Sequence, residues 1–273
     1  MIIGMILDKV FPPDPRVENE AIELIKAGHE VYLFCLSYIS QSTEEMIQGI
    51  KVVRYTSKKL EYKLSALAYT VPFYSLLMKS KIQHFLKTYK IEAIHIHDIR
   101  VAEAVFKANK KFNLPVVLDL HDNFPEVMKL YPHLQKFPGK YIISPKKWKV
   151  KEEEFIRKAT KIITVSQEFV DEVIERTKIN KEKIVLVPNT IRKAFYQEAI
   201  MKEEVLRKYK DKYVILYLGD THLRRGLLTA IKAMKTSNIA PTFIANCKPS
   251  VVPFAIASNT LEPIFSEDTC TSV

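Results

Sequence analysis

Three consecutive stretches decide the fold class of this chain: Ala93-Ile94-His95-Ile96-His97-Asp98, Val101-Ala102-Glu103-Ala104-Val105-Phe106-Lys107-Ala108-Asn109, and Pro115-Val116-Val117-Leu118-Asp119-Leu120-His121-Asp122. The outer two are short apolar runs of strand length, Ala93–His97 and Pro115–Leu120. The middle one repeats apolar residues at helical spacing across Val101–Phe112. Strand, helix and strand in this rhythm predict parallel strands joined by right-handed crossovers. The alternation continues downstream, with a helix expected over Glu152–Ala159, a strand over Ile162–Val165, a helix over Gln167–Arg176 and a strand over Ile184–Val187 that Pro188 stops. Upstream, Ile2–Leu7 is continuously apolar, as a strand covered on both faces would be. Asp14 then offers an N-cap and Pro15 sits at the first helical position. Val17, Ala21, Leu24 and Ile25 recur at helical spacing until Gly28. Glu30–Leu36 and Ile50–Tyr55 are further strands, and Leu60–Tyr89 is a long basic helical region broken near Pro72. Residues 1–190 are therefore expected to form one Rossmann-like α/β domain with a doubly wound parallel sheet.

Residues 191–212, with the charged stretch Glu198–Lys212, read as a linker. Tyr213–Leu218, a strand entering Gly219, and the helix Leu227–Met234 then begin a second α/β domain over residues 213–234. From Lys235 to Val273 Thr, Ser, Ala and Pro dominate, only Lys235 and Lys248 are basic, and helical periodicity fades. An atypical tail is expected there, because a Rossmann half needs several more strand and helix pairs. The second domain is thus expected to be incomplete.

The 273 residues fit about two domains at roughly 150 residues each. With 47% hydrophobic and 27% charged residues, disordered and fibrous classes are set aside. Three scattered cysteines form neither a disulfide framework nor a CxxC zinc pair, so a reducing, cytoplasmic compartment is expected. Met1–Leu7 lacks the basic region of a signal peptide, and the longest apolar stretch, Leu64–Met78, falls short of the roughly 20 residues a spanning helix needs. A formal charge of +11 points to an anionic partner: phosphate, nucleotide, nucleic acid or an acidic membrane surface.

Ligands of open parallel sheets bind outside the carboxyl ends of the strands, so polar residues there carry the chemistry. Asp8 to Arg16 is a proline-rich loop that delivers Arg16 into the first turn of a helix, where anions are favoured. Its bland reading is a stiff turn with a capped helix. Asp119-Leu120-His121-Asp122-Asn123 ends a strand in a polar cluster, in which carboxylates could orient the histidine ring or merely satisfy it. His95 and His97 share a strand face next to Asp98. That H-x-H spacing lacks a convincing further ligand, so no metal is expected. Gly219 to Gly226 is a strand-to-helix turn with glycine at both ends and Arg224-Arg225 before the helix, suited to a diphosphate or else a solvated surface turn. Neither a Walker A loop nor GxGxxG is present.

Together these segments resemble family 4 glycosyltransferases, retaining enzymes of the GT-B fold. The resemblance is carried by Asp14-Pro15-Arg16-Val17-Glu18-Asn19-Glu20-Ala21 followed by Gly28-His29-Glu30-Val31, by His121-Asp122, and by Thr164-Val165-Ser166. Val187-Pro188-Asn189-Thr190 and the segment from Gly219 to Met234 complete it. It implies transfer of a sugar from a nucleotide diphosphate donor to a glycan or lipid-linked acceptor, with retention and without a cofactor or metal. His121 and Asp122 would be the catalytic pair, with His121 against the transferred sugar. Asp14, Arg16 and Asn123 would line the acceptor side, and Gly219, Arg224, Arg225 and Asn189 would hold the donor. Asp220 stands where the family usually has its first diphosphate arginine, and Arg225 replaces the usual lysine. The family's Glu-x7-Glu segment has no counterpart after Met234, as if the donor domain were cut off after its first helix, which puts the activity of this chain in question.

A non-catalytic module that binds glycan or membrane is the alternative. Lys58, Lys59, Lys63 and Lys79, interleaved with Phe73, Leu76 and Leu77, could lie on an anionic membrane or form the solvent face of a core helix. Lys146–Lys151, with the single tryptophan, is a second basic patch. Nucleic acid is not expected as a partner, since no recognition motif accompanies the charge.

Overall fold

A computed structural model describes residues 1–39, 42–190, 207, 210, 214–218, 225–234, 242–246 and 254–256. The chain divides into two units, Met1–Arg192 and Lys193–Val273. The first unit opens with β1 (Ile2–Leu7), α1 (Pro15–Lys26), β2 (Glu30–Ser37), β3 (Glu44–Ile47) and β4 (Ile50–Thr56). There follow α2 (Lys59–Ser65), α3 (Phe73–Thr88), β5 (Ala93–His97), α4 (Ala102–Asn109) and β6 (Val116–Leu120). Three short helices come next, α5 (Phe124–Met128), α6 (Pro132–Gln135) and α7 (Gly139–Ile142), then α8 (Pro145–Lys158), β7 (Lys161–Thr164), α9 (Gln167–Thr177) and β8 (Ile184–Leu186).

The eight strands form one sheet in the order β3-β4-β2-β1-β5-β6-β7-β8. Every pairing is parallel except β3 with β4. The antiparallel edge was not legible because Glu44, Glu45 and Met46 are exposed, so no apolar run marks the strand. Gln48 and Gly49 make its turn, with φ of 50° and 86°, as a two-residue hairpin requires. The chain leaves β1 toward β2 and returns to its other side as β5, so the topological switch lies between β1 and β5.

Alternation along the strands feeds two cores. Ile6, Phe34, Ile94, Ile96, Leu118 and Leu120 pack with α3, α4, α8 and α9. Met5, Leu7, Leu33 and Cys35 pack with Val17 and Ala21 of α1. Gly4 admits α3, because a Cβ there would meet Ile91 Cγ2 at 2.9 Å and Phe85 Cε1 at 3.0 Å. The face of β5 and β6 shared with α1 carries His95, His97, Asp119 and His121 instead of aliphatics, and that substitution makes the site.

Most strand bounds shift by a single residue from the sequence reading, and two helices differ by more. The helix expected over Glu152–Ala159 starts at Pro145, capped by Ser144, whose hydroxyl accepts from the Lys147 amide at 3.4 Å. Lys146–Lys151 is therefore the beginning of α8, and Trp148 is buried against Tyr69 and Phe124 with ring centroids at 4.5 and 5.1 Å. The helix expected over Val101–Phe112 is shorter, Ala102–Asn109 after a 3-10 turn.

In the second unit, β9 (Val214–Leu218), α10 (Leu227–Met234) and β10 (Thr242–Asn246) make a parallel β-α-β step. β11 (Phe254–Ile256) pairs antiparallel with β10. Two strands thus stand where only an atypical tail was expected.

Candidate functional site

The carboxyl ends of β1, β5 and β6 bring together charged and polar groups from five segments. Asp8, the first residue after β1, is buried; its Oδ2 accepts from the Tyr74 hydroxyl of α3 at 2.9 Å and lies 3.8 Å from Arg100 Nε. Burial pushes its carboxyl above the ordinary range, with Arg100 opposing. Asp98, the first residue after β5, has φ of 82°, a conformation that costs a non-glycine residue about 1–3 kcal/mol and clusters at functional sites. It accepts from Lys9 Nζ at 3.1 Å. Burial works against its charge, but Lys9 and Arg100 outweigh burial and hold the carboxyl below the usual range.

His121, the first residue after β6, keeps a 7% exposed side-chain edge, and its Nδ1 stands 3.0 Å from Asp119 Oδ2. Parallel register sets His97 beside Asp119 across β5 and β6, with Nδ1 to Oδ2 at 3.3 Å. Glu20 of α1 completes the group, 3.5 Å from His95 Nε2. Burial drives His97 down and, reinforced by His97, His95 down to about 3, so both rings are neutral. Burial also opposes the Asp119 charge, yet His121 and His97 beside it hold its carboxyl well below the ordinary range. Burial and the nearby Asp119 push Glu20 up to about 8.

The expected site residues are dispersed, and only some of them reach the cluster. His121 lies in the cluster. Asp14 and Arg16 stand at its border on the first turn of α1, close enough that their charges act on Glu20. Asp14 caps that helix, accepting from the amides of Arg16 and Val17 at 3.3 and 3.4 Å, and pairs with the Arg16 guanidinium at 3.2 Å. Asp122 is exposed, and Asn123 turns away to donate to Glu172 Oε2 of α9 at 2.6 Å. Asn189 is exposed just after β8, in the segment where the Thr190 carbonyl approaches Asn19 of α1 at 3.5 Å. In the second unit Arg225 is exposed directly before Gly226, whose φ is 69°, and α10. Gly219 and Arg224 lie outside the described residues.

Sequence reading gives no site role to Tyr74, Arg100 or Glu20. Only Glu20 left a signal, a charged residue on the inward stripe Val17, Ala21 and Leu24 of α1. The loop after β6 is held from behind: Arg100 lies over the Phe124 ring at 5.6 Å, and Lys149 bridges Glu126 at 3.0 Å and Glu172 at 3.5 Å.

Among solved structures the chain is similar to sucrose-phosphate synthase of Thermosynechococcus elongatus, with a TM-score of 0.66 at 15% identity over 92% of this chain and 64% of that one. It is similar to a glycosyltransferase of Rickettsia africae, with a TM-score of 0.59 at 15% identity over 91% and 61%. It is also similar to HepE of Anabaena in complex with UDP-glucose, with a TM-score of 0.57 at 14% identity over 90% and 60%. At such identities the likeness is one of fold, that of GT-B glycosyltransferases, and the chain spans less than two thirds of each of these proteins. No curated protein matches its sequence. The family model for Glycosyltransferase Family 4 matches residues 16–194, which run from the first turn of α1 past β8 and so enclose most of the strand-end cluster just described. By that match the chain belongs to Glycosyltransferase Family 4.

Proposed function

We propose that the chain acts in transfer of a sugar from a nucleotide diphosphate donor to a glycan or lipid-linked acceptor, with retention of configuration, in cell-surface polysaccharide assembly at the cytoplasmic side. The observation that carries this reading is the family match across the segment whose strand ends hold His121, Asp119 and Asp98. Asp119 beside Nδ1 orients the imidazole, which leaves Nε2 for a sugar hydroxyl at the exposed edge. Strain at Asp98 and the buried Asp8 fix acidic groups at the ends of β1 and β5, where hydroxyl-rich acceptors find hydrogen-bond partners. Arg16 offers a guanidinium at a helix N-terminus for an acceptor anion. In the second unit, Arg225 before the N-terminus of α10 suits the diphosphate, whose leaving-group charge it would stabilise together with Arg224.

Calorimetric titration with UDP and GDP tests the donor part of this reading. Saturable binding of one nucleotide is expected, weakened about tenfold or more in an Arg225→Ala variant, in line with the strength of a charge-assisted hydrogen bond. No heat from either nucleotide would remove the donor role.

A peripheral membrane contact belongs to the same proposal. Phe73, Leu76 and Leu77 of α3 are exposed at 65%, 52% and 37%, while Tyr74 and Met78 beside them are buried. Lys58 and Lys63 are exposed on and before the neighbouring α2. Among the described residues, no helix is long and apolar enough to cross a membrane. Apolar side chains ringed by lysine suit an anionic lipid surface. The chain is expected to float with vesicles containing phosphatidylglycerol, less so in high salt, and a Phe73→Asp/Leu76→Asp variant is expected to stay behind. Equal flotation of both proteins would exclude this surface.

A further inference from the structure

The group beneath His121 carries a second chemistry that does not rest on the sugar-transfer reading. His95 Nε2 lies 3.5 Å from Glu20 Oε2 and 3.9 Å from Asp119 Oδ2, and His97 Nδ1 lies 3.8 and 3.3 Å from the same two oxygens. One ligand atom from each of the four residues falls within 4.8 Å of all the others. A tetrahedral ion bound at about 2.0–2.2 Å sets its ligand atoms roughly 3.3–3.6 Å apart, so side-chain shifts on the order of an ångström would complete the geometry.

Apart from the His121 ring, whose Nδ1 lies 3.0 Å from Asp119 Oδ2, these atoms have no partner outside the group among the described residues. Glu20 Oε2, His95 Nε2, His97 Nδ1 and both Asp119 oxygens are buried without a hydrogen bond, and His95, His97 and Asp119 are 6%, 0% and 0% exposed. Native interiors rarely leave such atoms unpaired, and rarely crowd them together. Once Glu20 gives up its proton to the ion, two carboxylates would match the charge of a divalent cation.

We propose that Glu20, His95, His97 and Asp119 bind one divalent transition-metal ion, zinc by preference. Two nitrogens among the donors disfavour magnesium and calcium, which take oxygen. Four protein ligands leave no open coordination position, so the role is structural. The ion ties α1 to β5 and β6. It also fixes the Asp119 carboxylate that faces His121, making His121 an outer partner of the kind that orients metal-bound carboxylates.

The test is elemental analysis of the full chain purified without chelator, together with zinc and cobalt titration and thermal unfolding in zinc and in EDTA. Expected are a one-to-one zinc content, a melting temperature raised by zinc and lowered by EDTA, and the visible absorption of tetrahedral cobalt. Glu20→Gln and His95→Gln, each checked for folding by circular dichroism, should weaken binding by more than the about 10–100-fold typical of losing an outer partner. His84→Ala, on the exposed side of α3, should leave binding unchanged. Metal at buffer level in the unaltered chain, with no response to zinc, cobalt, nickel or manganese, would overturn the proposal. Binding that survives in both ligand variants would overturn it equally, by placing the ion elsewhere.

Discussion

A His121→Asn variant is expected to fold like the unaltered chain and to lose sugar-nucleotide turnover by about 10²–10³-fold, the usual effect of removing one well-placed donor from a charge-developing site. The size follows from position. His121 is the first residue after β6, its ring is held between Asp119 and the end of the sheet, and its side chain is only 7% exposed. Asparagine keeps an amide near Asp119 but shortens the reach toward a bound sugar, so the contact with the transferred sugar is lost while packing is kept. Michaelis constants should change far less than turnover, because the contact is strongest as the glycosidic bond breaks. A variant with unaltered turnover would show that the sugar is handled elsewhere.

The largest stability effect is expected at Arg176. Its guanidinium pairs with Glu152 of α8, which is fully buried, and reaches Glu153 at 3.5 Å and Glu172 at 3.6 Å. Removing one partner of a buried pair strands the other charge, and Arg176→Ala should cost about 3–5 kcal/mol at neutral pH, read from urea unfolding. Burial raises the Glu152 carboxyl to about 7 from an ordinary 4.5, with Arg176 opposing. Between those values the unfolded chain binds fewer protons than the folded one, so this group's contribution to stability falls as pH rises from 4.5 through 7. Without Arg176 the folded carboxyl moves higher still, so the deficit of the variant should shrink as pH falls toward 5. A deficit independent of pH would mean that lost packing, rather than the stranded carboxylate, dominates. Because Glu172 also holds Asn123, the same variant should loosen the loop that follows His121.

How much of this could be read from the sequence varies with burial. Ile2–Leu7 stands in the structure with the bounds expected of it, because a strand covered on both faces is apolar throughout, and Ala93–His97 keeps its expected bounds on the strength of Ala93, Ile94 and Ile96. Asp14 and Pro15 fixed the start of α1 equally well. Glu44–Ile47 escaped notice since an exposed edge strand needs no apolar pattern, and the start of α8 was hidden because lysines surround the single buried Trp148 in sequence. Ser144-Pro145 was the available signal, a cap followed by proline at the first helical position.

The candidate site was legible only in part. Period-two alternation places Asp119 and His121 on one face, and His95 and His97 likewise. That these faces meet depends on the β5–β6 register, and the arrival of Glu20 depends on how α1 lies over the sheet. Neither is written in local sequence. Asn123 looked like a ligand contact in sequence, yet its amide is engaged by Glu172, an interaction between segments 49 residues apart.

The central claim is that this chain handles a nucleotide-activated sugar at the strand ends around His121. Phosphorus NMR of the full chain mixed with UDP-glucose, and separately with GDP-mannose, follows release of the nucleoside diphosphate directly. The account predicts release with one of the two as the sugar passes to water, suppressed in the His121→Asn variant, with proton NMR of the same mixture showing the free sugar first in the donor's anomeric configuration. Intact sugar nucleotides in both mixtures, with no binding of UDP or GDP by calorimetry, would contradict it.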